Sequence, residues 1–196
     1  MGDQAGARHR CRRDHGAAHR DPQQALNVVA AARYAQKPGA PDFAPQGKRG
    51  YSPAVPARYW GLHPDDYAEL SDIWGLDPRG ELLLIFIIES KAGVDNVREI
   101  AGALTEAGVR CILWAGGGDM SLSYGEPVYG GAQPATFAGI DEVLAAGREF
   151  GSPVRMNGPR QAAADYARGA RAFFSIGPAG LGGSPMSAET RAALGR

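Results

Sequence analysis

The nine residues ELLLIFIIE at positions 81–89 decide how the rest of this chain is read. Two glutamates bracket seven unbroken apolar residues, Leu82 to Ile88. That run is far short of the roughly 20 residues that span a bilayer. It also lacks the in/out alternation of a strand with one wet face. Its β-branched and aromatic content predicts a strand buried on both faces, as in a parallel sheet.

The pattern continues downstream. Residues 94–106 predict a helix, with Val94, Val97, Ile100, Ala101 and Leu104 on one stripe. A second buried strand is expected over 109–115, a helix over 135–150 with Phe137, Ile140, Val143, Leu144 and Phe150 facing the core, and a short strand over 152–156. A helix over 161–168 and a strand over 170–176 follow, then a Gly-rich tail with a helix-like piece at 187–194. Alternating strands and helices imply an α/β fold of parallel strands joined by right-handed crossovers. Periodicity does not separate an open doubly wound sheet from a barrel. A complete (β/α)8 barrel takes about 250 residues, and roughly four strand-helix units are visible here.

Upstream the character changes. Residues 1–20 hold Arg8, Arg10, Arg12, Arg13 and Arg20 and three of the four histidines, with almost no large apolar residue; this predicts a disordered basic arm ahead of a domain over 21–196. Asp21-Pro22 then reads as a helix start, an N-cap with proline at the first position, and Leu26, Val29, Ala30 and Arg33 carry the helix to about Tyr34. Residues 37–56 read as loop, and Pro64 opens a short helix reaching about Ile73 with Tyr67 and Leu70 on one side.

The 196 residues carry a formal net charge of +0, which gives no reason to expect nucleic acid or an anionic membrane as partner. Cys11 and Cys111 form no framework, and Cys111 sits within an apolar run as a buried thiol. A reducing, cytoplasmic setting is the expectation.

Catalytic groups of parallel α/β folds gather at the C-terminal ends of strands. Glu89 closes the first strand and Asp119 follows the second. Adjacent strands lie about 5 Å apart, so the two carboxylates have the spacing to meet on one hard cation, Mg2+ or Mn2+. The competing assignment is a pair of strand-end charges or helix caps. Gly116-Gly117-Gly118 would let backbone amides approach an anion; neither a P-loop nor a dinucleotide fingerprint is present. Arg49, in the turn Gly47-Lys48-Arg49-Gly50, has the fork to bind a carboxylate or to tie two loops. Cys11, His15 and His19 have helical metal spacing inside a segment whose composition opposes a helix. His63 is isolated, no GxSxG elbow occurs, and Trp60, Trp74 and Trp114 read as core or rim packing.

Ile87-Ile88-Glu89-Ser90, and after a helix Trp114-Ala115-Gly116-Gly117-Gly118-Asp119-Met120-Ser121, resemble the two strand ends, Q-I-E and G-P-A/G-D-L-S, of the HpcH/HpaI aldolase/citrate lyase family. Arg33-Tyr34, the 47–50 turn, Arg58-Tyr59-Trp60-Gly61 and the 172–177 segment are similar too, so the resemblance runs over about 22–177. It implies a partial (β/α)8 TIM barrel, namely its last four strand-helix units. It implies a metal-dependent lyase that cleaves 2-oxo-4-hydroxy acids to pyruvate and an aldehyde, working as a homo-oligomer. Glu89 and Asp119 would ligate Mg2+, Mn2+ or Co2+, with Gly117 and Gly118 lining the substrate pocket and Arg49 a substrate-binding candidate. Ile87 replaces the family glutamine and Gly117 its proline. The strands carrying the family's general base are expected to be missing from this chain. A barrel remnant or half of a split enzyme, acting as an interaction module, is the alternative reading.

Overall fold

The apolar run at 81–89 does form a strand, but a shorter one, because its first residues are drawn into another pairing. Leu82 makes a parallel bridge with Ile73, its N–H donating to Asp72 O and its carbonyl accepting from Trp74 N. What remains is β1, Leu84–Ile88. It pairs in parallel with β2 (Cys111–Ala115), β2 with β3 (Val154–Asn157), and β3 with β4 (Ala172–Phe174), giving a four-stranded sheet in chain order. The computed structural model describes residues 19–35, 44–157 and 162–174. The expectations for residues 1–18, for the end of the last strand and for the piece at 187–194 lie outside them.

The helices follow the predicted stripes with local adjustments. Helix α1 (Pro22–Ala32) starts where Asp21 accepts from Gln24 N, with Pro22 in the first turn, and it stops two residues short of Tyr34. Helix α2 (Ala54–Trp60) begins inside the segment read as loop. Pro56 is its third residue, where a missing N–H costs nothing because the first-turn amides have no intrahelical partner. Helix α3 (Pro64–Leu70) ends before Ile73, which the bridge to Leu82 claims. The helix predicted over 94–106 arrives in two pieces, α4 (Lys91–Asp95), capped by Ser90, and α5 (Val97–Glu106), hinged at Asn96. Helix α6 (Gly117–Tyr124) was not anticipated; α7 (Pro134–Glu149) and α8 (Ala162–Arg168) were.

Parallel register assigns the sheet's faces. Phe86, Leu113 and Val154 align across three strands and are buried against the helices, with Val97, Ile100, Leu104, Val143 and Leu144 above them. Each such aliphatic or aromatic side chain contributes roughly 1.5–3 kcal/mol on burial. Helix α7 lies so close to β3 that a Cβ at Gly147 would stand 2.3 Å from Val154 Cγ2. On the other face, Ile87, Trp114 and Arg155 align, and Ile85 beside Ile112 is 44% exposed. The strand is therefore buried on one face and not on both, since no helix among the described residues covers the second. Phe137, expected in the core, is also solvent-facing; Thr136 and Ile140 take the buried positions of that turn.

Ahead of the sheet, a buried ion pair organises the polar connections. Arg33 (1% exposed) donates from Nε and Nη2 to the two oxygens of Asp72 at 2.8 and 3.0 Å, and from Nη1 to Pro45 O at 2.7 Å. Asp72 also accepts from Ile73 N. One guanidinium thus joins α1, the 44–50 loop and the segment leading into β1. His19 and Arg20, assigned to the basic arm, belong to this fold. His19 is buried, its N–H donates to Ile87 O along the β1 edge, and Arg20 O accepts from Asn96.

Arg33→Met strands the Asp72 carboxylate in the interior. It is expected to lower unfolding free energy by about 3–5 kcal/mol, read as a fall in urea midpoint. Arg98→Met, which removes a partner from the exposed Glu142 and Glu149, should move the midpoint far less.

Candidate metal centre

Strand parity places Glu89 on the open face of the sheet, beyond Ile85 and Ile87, at the carboxyl edge. Its neighbour across the ladder is Gly116, whose N–H donates to Ile88 O at 3.0 Å. A Cβ at Gly116 would sit 2.8 Å from Glu89 Cβ and 3.1 Å from Glu89 Oε2. Glycine is required there for the Glu89 carboxyl to lie over the end of β2. The chain then turns at once into α6, putting Asp119 in the first helical turn. Lys91 N donates to Ser123 Oγ at 2.8 Å and ties the start of α4 to α6.

The two carboxyls meet. Burial, and then the charge of Asp119 and a hydrogen bond with it, push the Glu89 carboxyl above its ordinary value. Asp119 itself is exposed. Among the described residues no group of three or more His, Cys, Asp or Glu side chains gathers. A cation held here would take two protein oxygens and complete its shell with water or substrate oxygens, the coordination Mg2+ and Mn2+ adopt at carboxylate pairs. The donor set and the glycine cradle fit such an ion.

Gly117 and Gly118 open α6 and do not form a free loop. No side chain caps the helix, and an added Cβ at Gly118 would meet only Val128 Cγ1, at 3.9 Å. Gly118 is exposed beside the carboxylate pair, whereas Gly117 is half-buried with Ile140 against it. Arg49 is engaged elsewhere: Nη2 donates to Ser71 O and Oγ at 2.6 and 2.7 Å, and the guanidinium lies 3.9 Å from the Tyr34 ring centroid. Those contacts tie the 44–50 loop to the residues after α3.

Sequence reasoning passed over two groups. Arg155, 8% exposed, stacks on Trp114 at 3.5 Å one row below Glu89 on the open face, and burial lowers its pKa. Its arginine-in-strand position is the only signal that could have flagged it. The second is the polar seat of α6. Ser121 Oγ donates to Gly117 O at 2.8 Å, Thr136 Oγ1 lies 3.0 Å from Ser121 Oγ and 2.7 Å from Glu126 Oε2, and Gln133 Nε2 donates to Ser121 Oγ at 3.3 Å. Glu126 accepts the Ala135 and Thr136 amides that begin α7. Burial works to raise the Glu126 carboxyl, but these three hydrogen bonds outweigh it and hold it below its ordinary value.

A four-stranded parallel sheet with acidic side chains at its carboxyl edge makes this an α/β protein. An HpcH/HpaI aldolase/citrate lyase family protein from Burkholderia cenocepacia J2315 matches with a TM-score of 0.58 and 26% identity, over 79% of this chain and 54% of its own. An HpcH/HpaI aldolase from Desulfitobacterium hafniense DCB-2 matches at 0.53 and 18%, over 80% and 53%. The citrate synthase SbnG matches at 0.51 and 18%, over 80% and 52%. No protein-family model and no curated protein sequence matches. The chain resembles HpcH/HpaI aldolase/citrate lyase family proteins, as its strand-end motifs suggested, and spans about half the length of the solved structures it matches. No helix among the described residues is long and apolar enough to cross a membrane.

A carboxyl with a raised folded-state pKa favours the native state only while protonated. Its contribution is complete below the unfolded pKa and is lost as pH rises through the folded one. In chelator, Glu89→Gln should therefore be at least as stable as the parent at pH 7, and the difference should vanish below pH 4. Urea midpoints at the two pH values check this; a Glu89→Gln chain clearly weaker at pH 7 would contradict the electrostatic account of the pair.

Proposed function

We propose that this chain forms the last four strand-helix units of a (β/α)8 barrel and supplies the metal and substrate-carboxylate half of a carbon–carbon lyase centre. The convergence of Glu89 and Asp119 at the carboxyl ends of adjacent parallel strands carries the reading, and the half-length likeness to HpcH/HpaI structures supports it.

In this reading Glu89 and Asp119 hold a divalent cation, Mg2+, Mn2+ or Co2+, against the sheet edge. The ion supplies Lewis-acid stabilisation of negative charge developing on a keto oxygen. The first-turn amides of α6, at Gly117 and Gly118, orient the substrate's carboxylate. The substrate class is a 2-oxo-4-hydroxy acid, cleaved to pyruvate and an aldehyde. The proton of the 4-hydroxyl leaves to a base that none of the residues assigned here provides. That base would come from the complementary half of the barrel, seated on the open sheet face.

The exposed apolar side chains of that face, Leu83 at 49% and Ile85 at 44%, favour a companion reading in which the chain functions within a homo-oligomer or as one half of a split enzyme. A cytoplasmic setting belongs to the same proposal.

Deuterium exchange of the pyruvate methyl group, followed by NMR with Mn2+, tests the centre. The expected result is metal-dependent exchange that Glu89→Ala abolishes, a loss of at least 100-fold being in line with removing a key electrostatic group (on the order of 10²–10³). Exchange that survives in Glu89→Ala, or proceeds equally in chelator, would remove Glu89 from the mechanism.

A further inference from the structure

Ser121 is 1% exposed, the fifth residue of α6, with its hydroxyl turned back along the helix. The contacts around it allow its protons to be counted. The Glu126 carboxylate only accepts, so the Thr136 hydroxyl proton goes to Glu126 Oε2 at 2.7 Å. The Ser121 proton then has two acceptors, Gly117 O at 2.8 Å and Thr136 Oγ1 at 3.0 Å, and the shorter contact is the one to Gly117. Gln133 Nε2 approaches the Ser121 oxygen at 3.3 Å, its longest contact beside those to the Pro127 and Val128 carbonyls.

Gly117 O and the Gly118 N–H belong to one peptide unit. A hydrogen bond accepted at the oxygen polarises the unit and strengthens its N–H as a donor, by about 10–30% per bond in condensed-phase estimates. Gly118 N–H is a first-turn amide of an uncapped helix, its surroundings are open, and the next residue is Asp119. Gly117 O is also the ladder position that accepts the Ser121 backbone N–H, so the hydroxyl adds a second donor to an oxygen the helix already holds.

We infer that Ser121 is a positioning residue: through Gly117 O it polarises the peptide that presents the Gly118 N–H to a carboxylate bound beside Glu89 and Asp119. With the Thr136 proton on Glu126 and the Ser121 proton on Gly117 O, the donor left to the Ser121 oxygen is Gln133 Nε2. The inference rests on the 2-oxo acid reading above and adds to it the device that orients the anion-binding amide. The fold carries its own control. Thr105 Oγ1 makes the same bond to Ala101 O, at 2.9 Å, on α5, whose carbonyl faces no candidate ligand.

The test uses the full chain as the parent and as Ser121→Ala, Ser121→Thr and Thr105→Val. Alanine keeps helix propensity, and Gln133 retains the Pro127 and Val128 carbonyls as acceptors. Two quantities are read: the Gly118 amide proton shift in the metal-free chain, and the pyruvate Kd of the Mn2+-loaded chain. Ser121→Ala should move the Gly118 amide upfield and weaken pyruvate binding by up to about 2-fold, about 10–30% of one ordinary hydrogen bond, with a smaller change in Mn2+ affinity. Ser121→Thr restores both, and Thr105→Val changes neither. An unmoved Gly118 amide, or parental pyruvate affinity in Ser121→Ala, overturns the inference while leaving the metal centre standing. A parent chain that binds no Mn2+ overturns the metal reading, and the role of Gly118 with it.

Discussion

The pairing of β1 with β2 is the constraint on which the rest of the molecule depends. Parallel register sets Leu84 opposite Cys111 and Ile88 opposite Ala115, so the residue after each strand, Glu89 and Gly116, also face one another. A shift of one residue would turn Phe86 and Leu113 out of the core and send Glu89 toward the helices. Hydrophobic burial on the helix face therefore fixes where the carboxyl points. The direction of the Glu89 carboxyl is a consequence of packing several residues away, and Gly116 is the position where the two requirements meet.

The two faces of the sheet tell different stories. One is closed by α5 and α7 at a spacing tight enough to exclude a side chain at Gly147. The other presents Ile85, Ile87, Ile112 and the Trp114–Arg155 stack with no layer over them among the described residues. A parallel sheet is ordinarily covered on both sides. The imbalance accords with a chain that spans about half of the structures it resembles.

Much of this was legible in the sequence, for identifiable reasons. Long apolar runs and 3.6-residue stripes announced the strands and the main helices, and the end of each apolar run announced that Glu89 and Asp119 would lie near one another at the sheet edge. What was missed follows from forces that leave no local trace. Leu82 is spent on a bridge to Ile73, so the strand starts late. Helix α6 opens with three glycines at or beside its N-cap, residues of poor helix propensity, and is held by Ser121 and the Lys91–Ser123 contact. Arg49 has the fork of a carboxylate binder, yet Ser71 and Tyr34, distant in sequence, occupy it. The Phe137 stripe position lost to Thr136 because a polar seat for α6 lies beneath that turn.

Trp114 stands in the middle of the open face with the Arg155 guanidinium on its ring, whereas Trp60 and Trp74 lie at the surface, 40% and 48% exposed. An indole emits according to the polarity and charge around it. Placed where it is, Trp114 is a built-in fluorophore for the face of this sheet that no helix among the described residues covers. Whatever comes to rest there would announce itself in the colour and lifetime of a residue already in position.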